Sequence, residues 1–212
     1  METAIGIIPS RPEAERIFQW AAAQNPEPWV NHCRIVARAA ETIANKCGLD
    51  TDRAYISGLF HDIGYHAYKN GKGRSSHIYI GYEFLLEKGY GVIAQICLSH
   101  SFPHQNINEF FGSDLTQCSD KEIAHINKFL SETVFDDYDK LIQLCDCLGT
   151  AQSVCILEQR MINVVMRHGY NDFTFKKWDA IFAIKEYFDK KCGENIYNLF
   201  LNEITHNLFT TS

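Results

Sequence analysis

Four histidines and two aspartates of this chain fall where helical periodicity turns them inward: His32, His61, Asp62, His77, His100 and Asp146. Neutral imidazole nitrogens and carboxylate oxygens together suit a first-row divalent transition metal such as iron, manganese, cobalt or zinc. His61 and Asp62 are adjacent in "GLFHDIGYH". Such a dipeptide also arises by chance. Neighbours on a helix point about 100° apart, so both reach one centre only if it lies beside a helix end. The plain alternative is a histidine favoured by the helix dipole. His32 lies one turn before Val36, on the side of Ala39 and Ile43. Taken alone, a core histidine bonded to a carbonyl accounts for it better than a ligand does. Asp146 interrupts the apolar run "LIQLCDCLG" beside the stripe Leu141, Leu144, Cys145 and Leu148. A buried carboxylate there needs a cation or several hydrogen bonds; a rotated helix would leave it at the surface. His77 opens a helix whose apolar face continues through Gly81, Phe84 and Leu85. His100 follows Ile93, Ile96 and Cys97 at helical spacing. Each could be a packed histidine, but few structural explanations need all six groups at once.

Other polar segments leave two readings open. "YHAYKNGKGR", residues 65–74, holds His66, Lys69, Lys72 and Arg74 with no acid, and Gly71 and Gly73 give it freedom. It is either a solvated loop or a phosphate clamp, with Arg74 the best bidentate donor. Residues 104–140 are acid-rich, carrying Glu109, Asp114, Asp120, Glu122, Glu132, Asp136, Asp137 and Asp139, and read as a solvated face. Arg160 could reach a substrate, although an intrachain salt bridge is the plainer reading. Cys145 and Cys147 flank Asp146, but neighbouring helical positions diverge, which argues against a thiolate site. His104, His125, His168 and His206 have no comparable inward setting.

The elements that must position these groups read as helices divided by Gly, Pro and Asn. "SRPE" at Ser10–Glu13 suggests a capping box with Pro in the first turn. Helices are expected over about 11–23, 28–47 (stopped by Gly48), 51–62, 76–89 and 92–101, the last halted by Pro103. After an irregular stretch at 104–118, "SDKE" at Ser119–Glu122 opens another capping box. Further helices are expected over about 138–148, 151–168, 176–191 and 194–208. No period-two strand and no repeat is visible. The expected fold is all-α, an orthogonal helical bundle forming one domain over 1–212. Its motif-bearing core spans about 28–150, with a helical extension over 151–212.

The totals are those of an ordinary globular chain, 46% hydrophobic and 22% charged. A net charge of −6 and a pI of about 5.8 argue against a long nucleic acid as partner. No CxxC pair occurs among the 8 cysteines, which read as reduced, small hydrophobes. No signal peptide and no membrane-length apolar run is visible. The expectation is a reduced, cytoplasmic protein without a membrane partner, with a homodimer possible.

The order His32, His61-Asp62, Asp146 resembles the H…HD…D signature of the HD superfamily of metal-dependent phosphohydrolases. The resemblance runs through "VNHCRIVARAA", "YISGLFHDIGYH", "SSHIYIGYEFLLEKGY", "AQICLSHSF" and "YDKLIQLCDCLG", about residues 28–150. His77 in "HIYIG" and His100 in "ICLSH" match the additional histidines of dinuclear bacterial members, which include hydrolases of symmetric dinucleoside tetraphosphates. Two departures stand out. The cyclic-dinucleotide phosphodiesterases of the superfamily usually carry two consecutive histidines where this chain has His100-Ser101, and their Gly-Tyr-Pro element is absent. Many relatives place Lys or Arg directly after "HDIG", where this chain has Tyr65.

The resemblance implies a site for one or two divalent transition-metal ions. His32, His61 and Asp146 would serve one ion, His77 and His100 the other, with Asp62 as the bridge. Cations of this kind offset phosphate charge and bring a water's pKa near neutrality. The implied substrate is a phosphoester or phosphoanhydride of a nucleotide or another small phosphorylated metabolite. Asp62 is then expected in catalysis, with Lys69, Lys72 and Arg74 on substrate. The alternative is a metal-containing nucleotide-binding or regulatory protein that does not turn over.

Overall fold

The computed structural model describes residues 7–69, 72–110 and 114–209. Ten α-helices carry the described residues, joined by short 3₁₀ turns. Among the described residues, β-type pairing is limited to two isolated bridges, Lys69–Lys72 and Gly149–Val154. The fold is all-α, as the sequence indicates.

Helix α1 (Arg11–Gln24) starts with Pro12 in its first turn, where a missing N–H costs nothing. Ser10 sits at the N-cap without bonding the helix through its side chain, so the expected capping box does not form there. Helix α2 (Trp29–Cys47) ends at Gly48, whose φ of 71° closes the helix through an N–H bond to the Ala44 carbonyl. Its inner face is rich in alanine, and α3 (Thr51–Phe60) packs closely on it. A Cβ at Gly58 would lie 2.7 Å from the Ala37 Cα. Helices α4 (His77–Glu87), α5 (Gly91–Ser99) and α6 (Asp120–Glu132) follow. Helix α6 opens with the expected Ser119–Glu122 capping box. Helix α7 (Asp137–Leu148) opens with a second one, between Asp136 and Asp139.

The C-terminal part departs from the periodicity reading in two places. The helix expected from 151 begins only at Leu157, as α8 (Leu157–His168). Before it, the Thr150 hydroxyl accepts from the N–H groups of Gln152 and Ser153, at 3.1 and 3.0 Å, and holds a turn instead. Helix α9 (Thr174–Cys192) forms. The last expected helix is split into a 3₁₀ turn, Ile196–Phe200, and α10 (Leu201–Phe209).

Three apolar clusters hold these elements. Phe18, Cys33, Ile56, Phe60 and Ile93 join α1 to α2, α3 and α5. Ile78, Leu98, Phe102, Ile126 and Leu130 join α4 and α5 to α6. Val36, Ile43, Leu141 and Leu144 meet Leu157, Ile181, Phe188, Phe200 and Ile204, so the C-terminal helices share a core with α2 and α7. Removing a side chain such as Phe188, fully buried there, would cost about 3–5 kcal/mol.

Not every cysteine is a free thiol. Cys47 and Cys192 form a disulfide, Cα–Cα 4.7 Å, across 145 residues of sequence. It joins the last residue of α2 to the last residue of α9, two helix ends that folding brings together. The other six cysteines are free. No helix of the described residues is long and apolar enough to cross a membrane.

Candidate metal centre

All six inward groups meet in one place. The Nε2 of His32 lies 3.0 Å from Asp146 Oδ1 and 3.3 Å from His61 Nε2. His61 Nε2 is 3.6 Å from Asp62 Oδ2. The other oxygen of that carboxylate, Oδ1, is 3.0 Å from His77 Nε2 and 3.5 Å from His100 Nε2. Two triads of ligand atoms result, His32–His61–Asp62 and Asp62–His77–His100, with Asp62 common to both.

Helix ends make this convergence possible. Helix α3 stops at Phe60, and His61 is its C-cap. Asp62 then takes φ −108° and ψ 14°, leaving helical geometry, so two neighbours that would diverge on a helix both face one centre. His100 is likewise the C-cap of α5, and His77 is the first residue of α4. At the two C-caps the imidazoles turn back on their own helices. His61 Nδ1 donates to the Gly58 carbonyl at 2.7 Å, and His100 Nδ1 donates to Ile96 at 3.2 Å. The Ile96 carbonyl also accepts the His100 backbone N–H, and both side-chain bonds fix the tautomer, so the lone pair on each Nε2 faces the cluster.

The approach of α4 depends on Gly64. A Cβ there would stand 1.9 Å from the His77 carbonyl oxygen and 2.7 Å from the Gly81 nitrogen. Tyr65 stacks its ring on His77, centroids 4.2 Å apart and 9° from parallel.

The HD domain model matches residues 29–151, more than half of the chain. The chain belongs to the HD domain family. No curated protein and no solved structure matches it. HD domains are generally metal-dependent phosphohydrolases that bind divalent metals, and the donor set here fits such ions. Burial pushes the imidazolium of His61 down and that of His100 down to about 4, so both offer lone pairs at neutral pH. Burial disfavours charge on Asp62, but His61, His77 and His100 outweigh it and hold its carboxyl well below the usual range. Burial is likewise overcome at Asp146 by the bond and charge of His32, and its carboxyl is depressed too. Two carboxylates among four histidines leave the pocket of this HD domain with an excess of negative donors. The thiols beside it are protonated, as burial pushes Cys147 up to about 12 and Cys145 well above its ordinary value. Neither joins a ligand triad.

The basic loop starts at the cluster with Tyr65, but Lys69, Lys72 and Arg74 lie at the surface. The guanidinium of Arg74 pairs with Glu83 of α4 and is 61% exposed, so its charge is met at the surface. Lys69 and Lys72 are exposed and face each other only through backbone bonds. Gly71 lies outside the described residues. The acid-rich segment is not wholly a solvated face: Glu109 and Asp139 are buried. Glu109 accepts from the His104 backbone N–H at 3.1 Å, and Asp139 accepts from the Asp136 N–H at 2.8 Å. The side chains of Asp114 and His168 lie outside the described set. His125 packs against Tyr79 and Tyr82. Arg160 forms no ion pair among the described residues. Lys177, which the sequence reading passed over, bonds the carbonyl of Ser101, next to His100, at 2.8 Å. Its only signal was a lysine three residues after buried Thr174 and four before buried Ile181.

Proposed function

We propose that this HD domain hydrolyses a phosphoester or phosphoanhydride of a nucleotide or another small phosphorylated metabolite. In this reading His32, His61, Asp62, His77, His100 and Asp146 hold one or two divalent ions, of iron, manganese, cobalt or zinc. The observation that carries the reading is the Asp62 carboxylate, with one oxygen toward His61 and the other toward His77 and His100. A carboxylate so shared is suited to bridge two cations.

When bound, such ions offset phosphate charge and lower the pKa of a water toward neutrality. The chain supplies the rest. The imidazoles of His61 and His100 are neutral and aimed by backbone carbonyls, so little reorganisation is needed on binding. Asp62 and Asp146 stay ionised. Asp146 keeps 26% of its side chain exposed while His61 keeps none, so a phosphate reaches the cluster along the Asp146 edge.

Protein purified without chelator or affinity-tag metal should carry one to two equivalents of transition metal by elemental analysis. It should hydrolyse members of a panel of chromogenic phosphodiesters and nucleotides. Asp146→Ala should lose activity with the ion nearest His32. His77→Ala should lose one equivalent and keep the other. Metal bound without turnover across the panel would make it a binding protein instead.

A further inference from the structure

A groove outside the metal cluster carries binding groups that the hydrolytic site does not use. Glu13, Arg16, Ile17 and Trp20 recur at helical spacing along one face of α1. With Lys88 at the C-cap of α4 they line a cavity of about 280 Å³. Trp20 is 50% exposed, whereas Phe18 of the same helix is fully buried. The indole is held all the same. The Phe84 ring stacks on it, centroids 5.5 Å apart and 8° from parallel, and the His66 ring lies 5.4 Å away. Phe84 also meets the Lys88 ammonium, 4.7 Å from the ring centroid. A neutral ring draws an ammonium in without cancelling its charge. Arg16 and Lys88 are exposed and have no ion-pair partner among the described residues. Glu13, the one acid of the groove, lies beside the Tyr90 hydroxyl. Two cations against one carboxylate make the groove locally positive on a chain of net charge −6.

We propose that this groove is a second ligand site that binds a nucleoside monophosphate, its base on Trp20 and its phosphate between Arg16 and Lys88. A fixed, half-open indole beside two cations is what an aromatic anion requires. Stacking on an aromatic side chain serves any base, since each has a π-face. Guanidinium and ammonium groups bind phosphate by charge-assisted hydrogen bonds. A volume of about 280 Å³ is near the lower bound of small-molecule sites, about 300–1,000 Å³, and suits one mononucleotide rather than a longer chain. No ligand of the metal cluster lines the groove, so the proposal stands independently of the phosphohydrolase reading.

The test is calorimetric titration of the metal-loaded full chain with the methylenephosphonate analogue of AMP, which resists hydrolysis, and separately with adenosine and ribose 5-phosphate. The analogue should bind and change tryptophan fluorescence. Adenosine lacks the phosphate and ribose 5-phosphate lacks the base, so each should bind at least about tenfold more weakly. Trp20→Leu should weaken the analogue about tenfold or more, and Trp20→Phe should retain most of the affinity. Arg16→Gln and Lys88→Gln should each weaken the analogue about three- to tenfold and leave adenosine within twofold, with a loss that shrinks at high salt. Asp146→Asn should leave binding at the groove within twofold, and any further binding at the cluster is the part it removes. If Trp20→Leu fails to fold, the exposed Arg16 and Lys88 carry the test. Analogue affinity within twofold of the parent in folded Trp20→Leu, or in the Arg16→Gln, Lys88→Gln double variant, overturns the site. So does an analogue that does not bind the parent, or binding that vanishes in Asp146→Asn and survives the groove variants.

Discussion

The ring of Tyr65 lies on the imidazole of His77, 4.2 Å between centroids and nearly parallel. His77 has its Nε2 on Asp62, so the stack steadies the ring that faces one of the two triads. Stacked pairs of this kind contribute about 0.5–1.5 kcal/mol. Tyr65→Leu should therefore weaken the ion beside His77 by roughly two- to tenfold and leave the ion beside His32 unchanged. Stepwise metal titration resolves the two. Equal weakening of both ions would show that the ring serves general packing instead.

Arg74→Ala should leave kcat/KM within about twofold of the parent, because an exposed pair with Glu83 contributes only about 0–1 kcal/mol. Steady-state kinetics on every active substrate decides it. A loss above tenfold would mean that the loop leaves Glu83 and reaches the substrate.

The sequence reading located the cluster through periodicity. His32, His100 and Asp146 each sit in register with apolar neighbours, and that register survives folding. The contacts it missed depend on long-range or local polar bonds that no periodicity encodes. Lys177 meets Ser101 across 76 residues. Thr150 delays α8 through its hydroxyl, in a stretch that otherwise alternates like a helix. Asp139 reads as one acid among many because its burial comes from helix capping and from α5 packing over it. The role of Arg74 depended on where its loop runs, and the partner it found, Glu83, is nine residues away.

Asp139 gives the fold a pH dependence. Burial is the main cause, and its carboxyl is pushed up to about 6, from an ordinary value near 3.8. A carboxyl raised on folding penalises the native state when ionised. The penalty is absent below the unfolded value and complete above the folded one. Relative to Asp139→Asn, which keeps an acceptor for the Asp136 N–H, the parent should lose stability as pH rises from about 4 to 6. The full difference is on the order of 2–3 kcal/mol. Urea unfolding of both proteins across that range measures it, and parallel curves would refute the assignment.

The Cys47–Cys192 bond should stabilise the fold by closing a long loop. Reduction, or Cys192→Ser, should lower the unfolding free energy by about 2–4 kcal/mol. Unfolded under non-reducing conditions, the chain should show six reactive thiols, rising to eight after reduction. Eight thiols before any reductant would show that the pair is open in the purified protein.

The contact of Gly64 with α4 bears on how substitutions at this position would score in a selection. A methyl group there would meet the His77 carbonyl oxygen at 1.9 Å, and only movement of the whole N-terminal turn of α4 could relieve it. That movement takes the His77 ring with it. A saturation screen scored by survival would therefore rank residue 64 beside the ligands themselves, although glycine has no side chain to offer any substrate. The two losses separate on inspection of the dead variants. A ligand replaced in place leaves a folded chain short of one donor, whereas an alanine at 64 leaves every donor present and the distances between them wrong.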